Sequence, residues 1–335
     1  MANPSRFVRT VWHPEGGHHL GAGSFEGWYF KVVSRDLRHK WALIPGIFRG
    51  LAGDDEAFVQ VLDGSSGQSW YHRYPAHEFS AAPTGVDVRV GPHHFTSRGI
   101  SVDFPEFSGR VRFTSELDPW PVTPLSPGVM GWYAWVPSME CYHGVCSFGH
   151  SLAGAVRLAE GDPVDFDGGR GYLEKDWGQA FPAGYLWLHA NTFAHTDASL
   201  MASVALIPWR GREFRGFIVG LRESGRLHRF ATYTGARSEH LTLTDDHLTW
   251  TLRSRMGVPG RPRTTLSLRA ERQSGGLLHA PIRTEMHKRV EETMNSRVEV
   301  TLSVAGEVVF ADTAEATCLE VHGETDRLLA TSERR

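Results

Sequence analysis

Short apolar runs, many of them alternating with polar residues, follow one another along this sequence. They are rich in Val, Phe, Tyr, Trp and Thr, and clusters of Gly, Asp, Ser and Pro separate them at hairpin distance. A side-chain period of two is that of an extended chain, so each run predicts a β-strand. The clearest runs are residues 25–33, 56–62, 86–90, 100–104, 198–207, 213–221, 247–254 and 298–304.

Helical periodicity is scarce by comparison. The best candidate is residues 284–295, where Met286, Val290 and Met294 recur at a spacing of four. This spacing favours a short helix, although an extended strand is also compatible with it. Strands and helices do not alternate as in a doubly wound sheet. We therefore expect an all-β protein, an antiparallel barrel or sandwich with few short helices.

The length of 335 residues is sufficient for two domains of ordinary size. A polar, Gly-rich break, AEGDPVDFDGG, lies near the midpoint at residues 159–169. We place the boundary in this break and expect an N-terminal domain of residues 1–165 and a C-terminal domain of residues 166–335. The prolines of residues 117–138 exclude a regular central strand from most of that region.

Charge and apolar content argue against several classes of function. The formal net charge is -3 and no basic block stands out, so a nucleic-acid partner is not expected. The first residues lack the apolar core of a signal peptide, and the most apolar later run, residues 198–209, is too short to span a bilayer. We expect a cytoplasmic protein that touches a membrane at most through its surface.

The motifs predict neither a metal nor a cofactor. The three cysteines are too few for a disulfide framework and lack a zinc spacing. The histidine pairs at residues 18–19 and 93–94 would point to opposite faces of a strand, so neither pair forms a chelate by itself. A Walker loop, a Rossmann glycine pattern and a nucleophile elbow are all missing, which disfavours phosphate and dinucleotide chemistry.

The segment GYLEKDWG, residues 171–178, concentrates charge beside aromatic rings. As a strand it places Tyr172, Glu174 and Asp176 on one face, and Leu173, Lys175 and Trp177 on the other. Two neighbouring or desolvated carboxyls retain a proton near neutral pH, as a general acid requires. The alternative is structural: Glu174 and Lys175 in ion pairs, and Asp176 at a turn.

The next segment, YLWLHANTF, alternates clearly and predicts another strand. One face carries Tyr185, Trp187, His189, Asn191 and Phe193, and the other carries Leu186, Leu188, Ala190 and Thr192. Rings with two orienting polar groups are typical of a ligand cavity. A buried histidine with satisfied hydrogen bonds in an ordinary core is an equal alternative.

Two further segments place an acid among aromatic rings. Glu26, Trp28 and Phe30 share one face of the strand predicted at residues 25–33. Residues 127–152 hold a larger set, namely Trp132, Tyr133, Trp135, Glu140, Tyr142, His143 and His150. Because the chain has 11 Trp in all, these segments together predict an aromatic-lined cavity for a hydrophobic small molecule.

Four pieces of the sequence resemble the tocopherol cyclase family. They are SFEGWYFKV at 24–32, PGVMGWYAWVPSMECYHGV at 127–145, GYLEKDWGQAFP with WLHANTF within 171–193, and APIRTEMHKRV at 280–290. The resemblance implies two lipocalin-like antiparallel barrels and the cyclisation of a prenylated hydroquinone to a chromanol, without a cofactor. Protonating an alkene to a tertiary carbocation requires a desolvated acid, aromatic faces and exclusion of water, which matches the residues described above.

The resemblance suggests roles for these residues. Glu174, Asp176 or Glu26 would donate the proton, and Lys175 would tune the acid or orient the phenol. His189 and Asn191 would bind or deprotonate the hydroxyl group. Plant members of the family carry Asn at the position of Asp176, which ranks Glu174 first. The expected substrate-binding residues are Trp28, Tyr29, Trp132, Tyr133, Glu140, His143, Trp177 and Trp187.

Other activities fit the same residues. Water could capture the carbocation, giving a hydratase of an isoprenoid or carotenoid alkene, and a different cyclisation is a further alternative. A non-catalytic carrier of prenylquinones or other lipids would need only the aromatic cavity. Kinship at the level of the fold does not fix a reaction, so the alternatives stay open here.

Overall fold

The computed structural model describes residues 4–137, 139–159, 161–193, 198–255, 262–282 and 285–331. In this part of the chain, antiparallel strands dominate and two short α-helices lie near the ends. The chain divides into two compact units, one of Met1–Phe181 with Leu277–Arg289 and the other of Pro182–Gly276 with Val290–Arg335. The predicted all-β class with few short helices is confirmed.

The first unit contains helix α1, Pro4–Trp12, and the strands β1 to β15. These strands are β1 Ser24–Val33, β2 Lys40–Arg49, β3 Glu56–Asp63, β4 Gln68–Pro75, β5 Phe79–Ala81, β6 Asp87–Val90, β7 His93–Thr96, β8 Gly99–Asp103, β9 Phe107–Phe113, β10 Val122–Thr123, β11 Ser126–Pro127, β12 Cys141–Ala153, β13 Ala155–Leu158, β14 Val164–Asp165 and β15 Arg170–Gly178. Two 3₁₀ helices, Ala76–Glu78 and Gly131–Trp135, lie between them.

Most strands of the first unit form one large antiparallel sheet, and β10 and β11 pair separately. Its order is β4-β3-β2-β1-β15-β12-β9-β8-β7-β6-β5, with β13 and β14 attached at β9. Inside it lies a core of fully buried aromatic and branched side chains that includes Trp28, Phe30, Phe95, Phe107 and Leu173. Burying each such side chain contributes roughly 1.5–3 kcal/mol, which makes this core the main source of the unit's stability.

The second unit is built in the same way. Its elements are β16 Gly184–Ala190, β17 Ser199–Trp209, β18 Arg212–Glu223, β19 Arg226–Ala231, a 3₁₀ helix Thr232–Thr234, β20 Arg237–Leu243, β21 His247–Arg253, β22 Thr264–Glu271, β25 Glu307–Gly323 and α2 Thr325–Ala330. Strand β23, Gly276–Pro281, belongs to the first unit apart from Gly276, and β24, Met286–Val304, begins in the first unit and continues in the second. The sheet order is β19-β18-β17-β16-β25-β24-β22-β21-β20, with β23 paired to β24. Leu188, Phe217, Trp250 and Leu302 are among the residues of its core.

The division between the units differs from the boundary expected between residues 165 and 166. The structure divides the chain after Phe181 and returns residues 277–289 to the first unit. Strand β14, which pairs with β13, lies within the polar break, and β15 begins directly after it. Polar, Gly-rich composition marks a hairpin as readily as a linker.

The helix predicted at residues 284–295 is also corrected, because residues 286–295 belong to strand β24. Met286, Val290 and Met294 are buried as expected. A spacing of four is a multiple of the strand period of two, so a strand presents the same three residues on one face. Thr284 lies outside the described residues.

Two buried histidines make acid destabilise the fold. Burial lowers the pKa of His150 to about 3, and burial together with the charge of Lys175 lowers that of His18 to about 3. Both are neutral in the folded state, whereas the unfolded chain takes up protons below pH 6.5. The stability that they contribute is therefore complete above pH 6.5 and is lost as the pH falls toward 3.

We expect the free energy of unfolding to fall by about 1.4 kcal/mol per pH unit for each of these histidines between pH 6 and 4. Denaturant titrations over this range should show a shallower dependence in His150→Gln, because that variant loses one proton-binding site of the unfolded state. Replacing the exposed His240 by Gln is the matched control and should leave the slope unchanged. An unchanged slope in His150→Gln would contradict the prediction.

Candidate active site

Strand β15 is the element on which the site is built. It lies between β1 and β12 and is antiparallel to both, with Trp28 opposite Lys175 and His143 opposite Asp176. Alternate residues point to opposite faces, so Glu174 and Asp176 share one face while Lys175 lies on the other. Since Trp28 belongs to the core, the Lys175 face is the core face. We call the opposite one the acid face.

Four side chains form an acid group on the acid face, joined by two hydrogen bonds and one ion-pair contact: His143, Tyr172, Glu174 and Asp176. His143 Nδ1 lies 2.8 Å from Asp176 Oδ1, and His143 Nε2 lies 3.3 Å from Glu174 Oε2. The Tyr172 hydroxyl donates a hydrogen bond to that same Glu174 oxygen. The side chain of Glu174 is 6% exposed and that of Asp176 is 24% exposed, so Asp176 is the link to solvent.

The acid group is built to hold and move protons. Two carboxylates and one imidazole at these distances interact electrostatically. Burial, with the nearby charge of Glu174, raises the pKa of the Tyr172 hydroxyl well above its ordinary value, so this hydroxyl remains a donor. A desolvated carboxyl beside an imidazole is the arrangement of a general acid.

Aromatic side chains surround the acid group. Tyr29 stands opposite Glu174 in the β1–β15 ladder, and its ring centre lies 6.4 Å from that of Tyr172. Further along the same face of β1, Phe25 belongs to a buried cluster with Phe48, Phe58 and Met286, and Cys141 and Phe181 pack against it. Burial raises the pKa of the Cys141 thiol well above its ordinary value, so this thiol is not a thiolate nucleophile.

A narrow cleft lies on the side of the sheet that carries Trp177, and His143 is among the residues that line it. Its wall includes Tyr142 and Trp177, whose rings stack with centres 5.5 Å apart and 7° between their planes. The rest of the lining comes from α1, the residues after it and the segment before β12: Thr10, Val11, Pro14, Pro127, Gly128, Met130 and Ala134. This lining is largely apolar and includes one histidine.

Lys175 and Glu26 form a buried ion pair on the core face. Lys175 Nζ lies 2.9 Å from Glu26 Oε2, and the two side chains are 0% and 2% exposed. The ammonium also lies 4.3 Å from the ring centre of Trp28 and 5.2 Å from that of Trp177. Lys175 was predicted to tune the acid beside it in sequence, but its carboxylate partner is Glu26, across the sheet from Glu174.

The ion pair also fixes the chain that precedes β1. Glu26 accepts hydrogen bonds from the backbone N–H groups of His18 and Leu20, and Lys175 donates to the carbonyl of Gly16. Burial alone would raise the pKa of Glu26, but the charge of Lys175 and these hydrogen bonds lower it to about 2. Glu26 is therefore an ionised anchor in the folded protein, a poor fit to the predicted role of proton donor.

Three predicted site residues belong to the second unit. Trp187, His189 and Asn191 lie on β16 or directly after it, and all three are buried. The His189 ring lies 6.5 Å from the Trp187 ring, and its Nε2 lies 3.4 Å from Ser199 Oγ. Phe193 does not continue their face, because β16 ends at Ala190 and Phe193 joins the core with Leu186 and Leu188.

The remaining predicted residues belong to the segment that leads into β12. Trp132 is 41% exposed and stacks on the buried Tyr133, with ring centres 4.0 Å apart. Glu140 is half-buried, and its carbonyl accepts a hydrogen bond from the backbone of Gln179. Of the predicted set, the structure thus brings Glu174, Asp176 and His143 together.

Sequence reasoning missed several members of the site. Tyr172 was placed on the face of Glu174 by the strand period but was not chosen, although a hydroxyl two residues away on the same face is within reach. Trp177 was predicted to bind substrate and Tyr142 was noted as aromatic, but their stacking depends on strand pairing, which the sequence did not give. The α1 residues that line the cleft gave no signal, because nothing local to residues 4–14 indicates what they cover.

Three members of the acid group, His143, Glu174 and Asp176, could together coordinate a metal ion. Donor atoms of His143, Glu174 and Asp176 all lie within 4.8 Å of one another. Such a set of one nitrogen and two carboxylates is compatible with a divalent cation.

As to membrane spans, the described helices are all too short or too polar to cross a bilayer.

Comparisons with known sequences place the chain in a family. A family model described as tocopherol cyclase-like matches residues 107–323. The probable chloroplastic tocopherol cyclase of Oryza sativa subsp. japonica is 22% identical over 300 residues, covering 70% of this chain and 62% of that protein. The chloroplastic tocopherol cyclase of Zea mays is 22% identical over 296 residues with the same coverage. The chain therefore spans about 62% of the length of these relatives.

Solved structures share the fold. CghA in complex with Sch210972 superposes with a TM-score of 0.56 at 13% identity, covering 90% of this chain and 88% of CghA. Kievitone hydratase from Nectria haematococca gives 0.50 at 11% identity, covering 95% and 92%. The predicted lipocalin-like, antiparallel class is confirmed by this likeness. With its family model matching from β9 to the end of β25, the chain belongs to the tocopherol cyclase-like family.

Proposed function

We propose that the protein is a cofactor-independent enzyme that closes a prenylated hydroquinone to a chromanol. The observation that carries this proposal is the acid group, in which the buried carboxyl of Glu174 lies 3.3 Å from an imidazole and accepts a hydrogen bond from Tyr172. Membership of the family supports the substrate class, since the rice and maize relatives are named as tocopherol cyclases.

The first step is proton transfer from the Glu174 carboxyl to the alkene. The proton adds to the less substituted carbon, so the positive charge forms at the tertiary carbon. Glu174 is desolvated, and burial by itself favours its protonated form before the step. Aromatic side chains such as Tyr29 and Tyr172 stabilise positive charge through their ring faces and exclude water that would capture the cation.

The second step closes the ring. The phenol oxygen attacks the tertiary carbon, forming the C–O bond of a six-membered ring, and the phenolic proton passes to the His143–Asp176 pair. Because His143 touches both carboxylates, the imidazole returns a proton to Glu174 and restores the starting state. One proton is gained at carbon and one is lost from oxygen, so the reaction is an isomerisation with no change of oxidation state.

Product analysis tests the proposal. Purified protein should convert a prenylated hydroquinone to the isomeric chromanol, identified by mass and retention against a chemically cyclised standard. A product heavier by one water would instead identify a hydratase that uses the same cation. Unchanged substrate that co-purifies with the protein would support a carrier and would overturn the proposed reaction.

The proposed mechanism also predicts insensitivity to chelators. Protons alone carry the chemistry, so prolonged treatment with EDTA should leave the rate of chromanol formation unchanged. Elemental analysis of the untreated protein serves as the control for bound metal. Loss of activity that Zn²⁺ or Mn²⁺ restores would show that His143, Glu174 and Asp176 act as metal ligands, contrary to the proposal.

A further inference from the structure

An exposed apolar surface lies beside the cleft. Val8 and Trp12 on α1 are 43% and 38% exposed, and Leu125 and Trp132 in the segment before β12 are 89% and 41% exposed. Scattered exposed apolar residues are common, whereas a contiguous patch that includes tryptophan marks an interaction site. We call these four residues, together with the half-buried Trp135, the tryptophan patch.

The five residues of the patch are contiguous. The rings of Trp12 and Trp135 meet edge to face, with centres 6.3 Å apart. Trp135 Nε1 donates a hydrogen bond to the carbonyl of Pro124, the residue before Leu125. Trp132 and Trp135 are three apart in a 3₁₀ helix, and Val8 and Trp12 are four apart in α1, so each pair shares a side of its helix.

Charge near the patch has one sign. Helix α1 carries Arg6 and Arg9 and no acidic residue, and residues 119–137 carry no charged side chain. An interfacial helix that combines tryptophan with basic residues suits a surface with anionic headgroups. Both arginines are half-buried, and Arg6 Nε also donates to the carbonyl of His18. Arg9 is one position after Val8 and therefore borders the apolar strip.

The patch is continuous with the cleft, and its helix is firmly held. Thr10 and Val11 of α1 line the cleft, as do Gly128 and Met130 beyond Leu125. The residues after α1 are fixed by hydrogen bonds of Glu26, Lys175 and Trp28, so α1 presents its exposed side in a defined position.

We propose that the tryptophan patch docks the protein on an anionic lipid surface and brings the cleft to the membrane boundary. A hydrophobic substrate dissolved in the bilayer then reaches His143 without crossing water. Docking itself is independent of the reaction, whereas delivery of a prenylated quinol rests on the proposed function.

Co-sedimentation of the full chain with vesicles tests docking without any turnover. The vesicles are phosphatidylcholine alone, and phosphatidylcholine mixed with phosphatidylglycerol. We expect binding to the anionic vesicles, weakened roughly tenfold or more in a Trp12→Ser and Leu125→Ser double variant, since each side chain removes a large apolar area from the interface. Arg9→Gln should weaken binding to anionic vesicles only.

A control variant separates the patch from general surface hydrophobicity. Leu277 and Val308 are 47% and 61% exposed outside the patch, so Leu277→Ser with Val308→Ser should bind vesicles like the wild type. Thermal unfolding confirms that each variant is folded. Wild-type protein that stays in solution with anionic vesicles, or equal binding by all variants, would overturn the proposal. So would a wild-type dimer that the Trp12 and Leu125 substitutions dissociate, because the patch would then bind a second copy.

Discussion

Glu174→Gln should reduce chromanol formation by about a hundredfold or more, because general acid catalysis contributes factors of roughly 10²–10⁴. The amide keeps the shape of the carboxyl and can still accept from Tyr172, but it has no proton to give to an alkene. The quantity to measure is the rate of the first turnover with a prenylated hydroquinone, together with substrate affinity. Affinity should change little, since the lost interaction belongs to the transition state.

A second buried carboxyl provides the matched control. The side chain of Glu106 is 5% exposed, and its carboxylate lies 2.6 Å from His72 Nε2. Like Glu174 it is therefore buried beside a histidine, but it lies outside the acid group. Glu106→Gln should retain the wild-type rate in folded protein. A Glu174→Gln variant as active as Glu106→Gln would remove Glu174 from the role of acid.

Lys175→Met should lower the free energy of unfolding by about 3–5 kcal/mol, the usual cost of leaving one partner of a buried ion pair without the other. The carboxylate of Glu26 would keep its hydrogen bonds from His18 and Leu20 but lose the charge that holds its pKa near 2. Denaturant unfolding followed by tryptophan fluorescence measures the loss directly, because Trp28 and Trp177 both lie beside the ammonium.

The double variant Lys175→Met with Glu26→Gln should recover part of this stability, since no unpaired charge remains buried. The ion pair of the exposed Arg73 with the half-buried Glu56, 3.2 Å apart, gives the comparison, and Arg73→Met should cost no more than about 1 kcal/mol. Equal costs for Lys175→Met and Arg73→Met would show that the buried pair does not anchor the segment before β1.

Many of the strands could be predicted from the alternation of apolar and polar residues, which has the side-chain period of two of an extended chain. Alternation in residues 25–33 and 172–177 predicted strands, and it correctly separated Glu174 and Asp176 from Lys175. The helix predicted at residues 284–295 was wrong for residues 286–295, because a spacing of four between apolar residues fits a strand as well as a helix. The pairing of β15 with β1, which keeps residues 170–178 in the first compact unit, spans most of that unit and is not encoded in local composition.

The sequence predicted which residue types form the candidate site, but it did not predict which of their side chains contact one another. The pairing of Lys175 with Glu26, 149 positions away, depends on strand register, and so does the placing of His143 opposite Asp176. His143 was predicted only as a binding residue, because nothing in the local sequence distinguishes it from His150, which is buried beside Ser147 and Phe113. The strand period of two predicts which face of the sheet a side chain lies on, whereas its neighbours on the adjacent strands depend on the hydrogen-bonded register.

Cyclisation in D₂O tests the proposed acid chemistry most directly. The alkene proton comes from Glu174, which exchanges with solvent through Asp176 and His143, so the chromanol should carry one carbon-bound deuterium next to the newly formed quaternary carbon. Mass spectrometry with NMR of the product locates it, and Glu174→Gln should form the labelled product at a strongly reduced rate. Chromanol without deuterium at that carbon, or no conversion of any prenylated hydroquinone, would contradict proton transfer from the acid group.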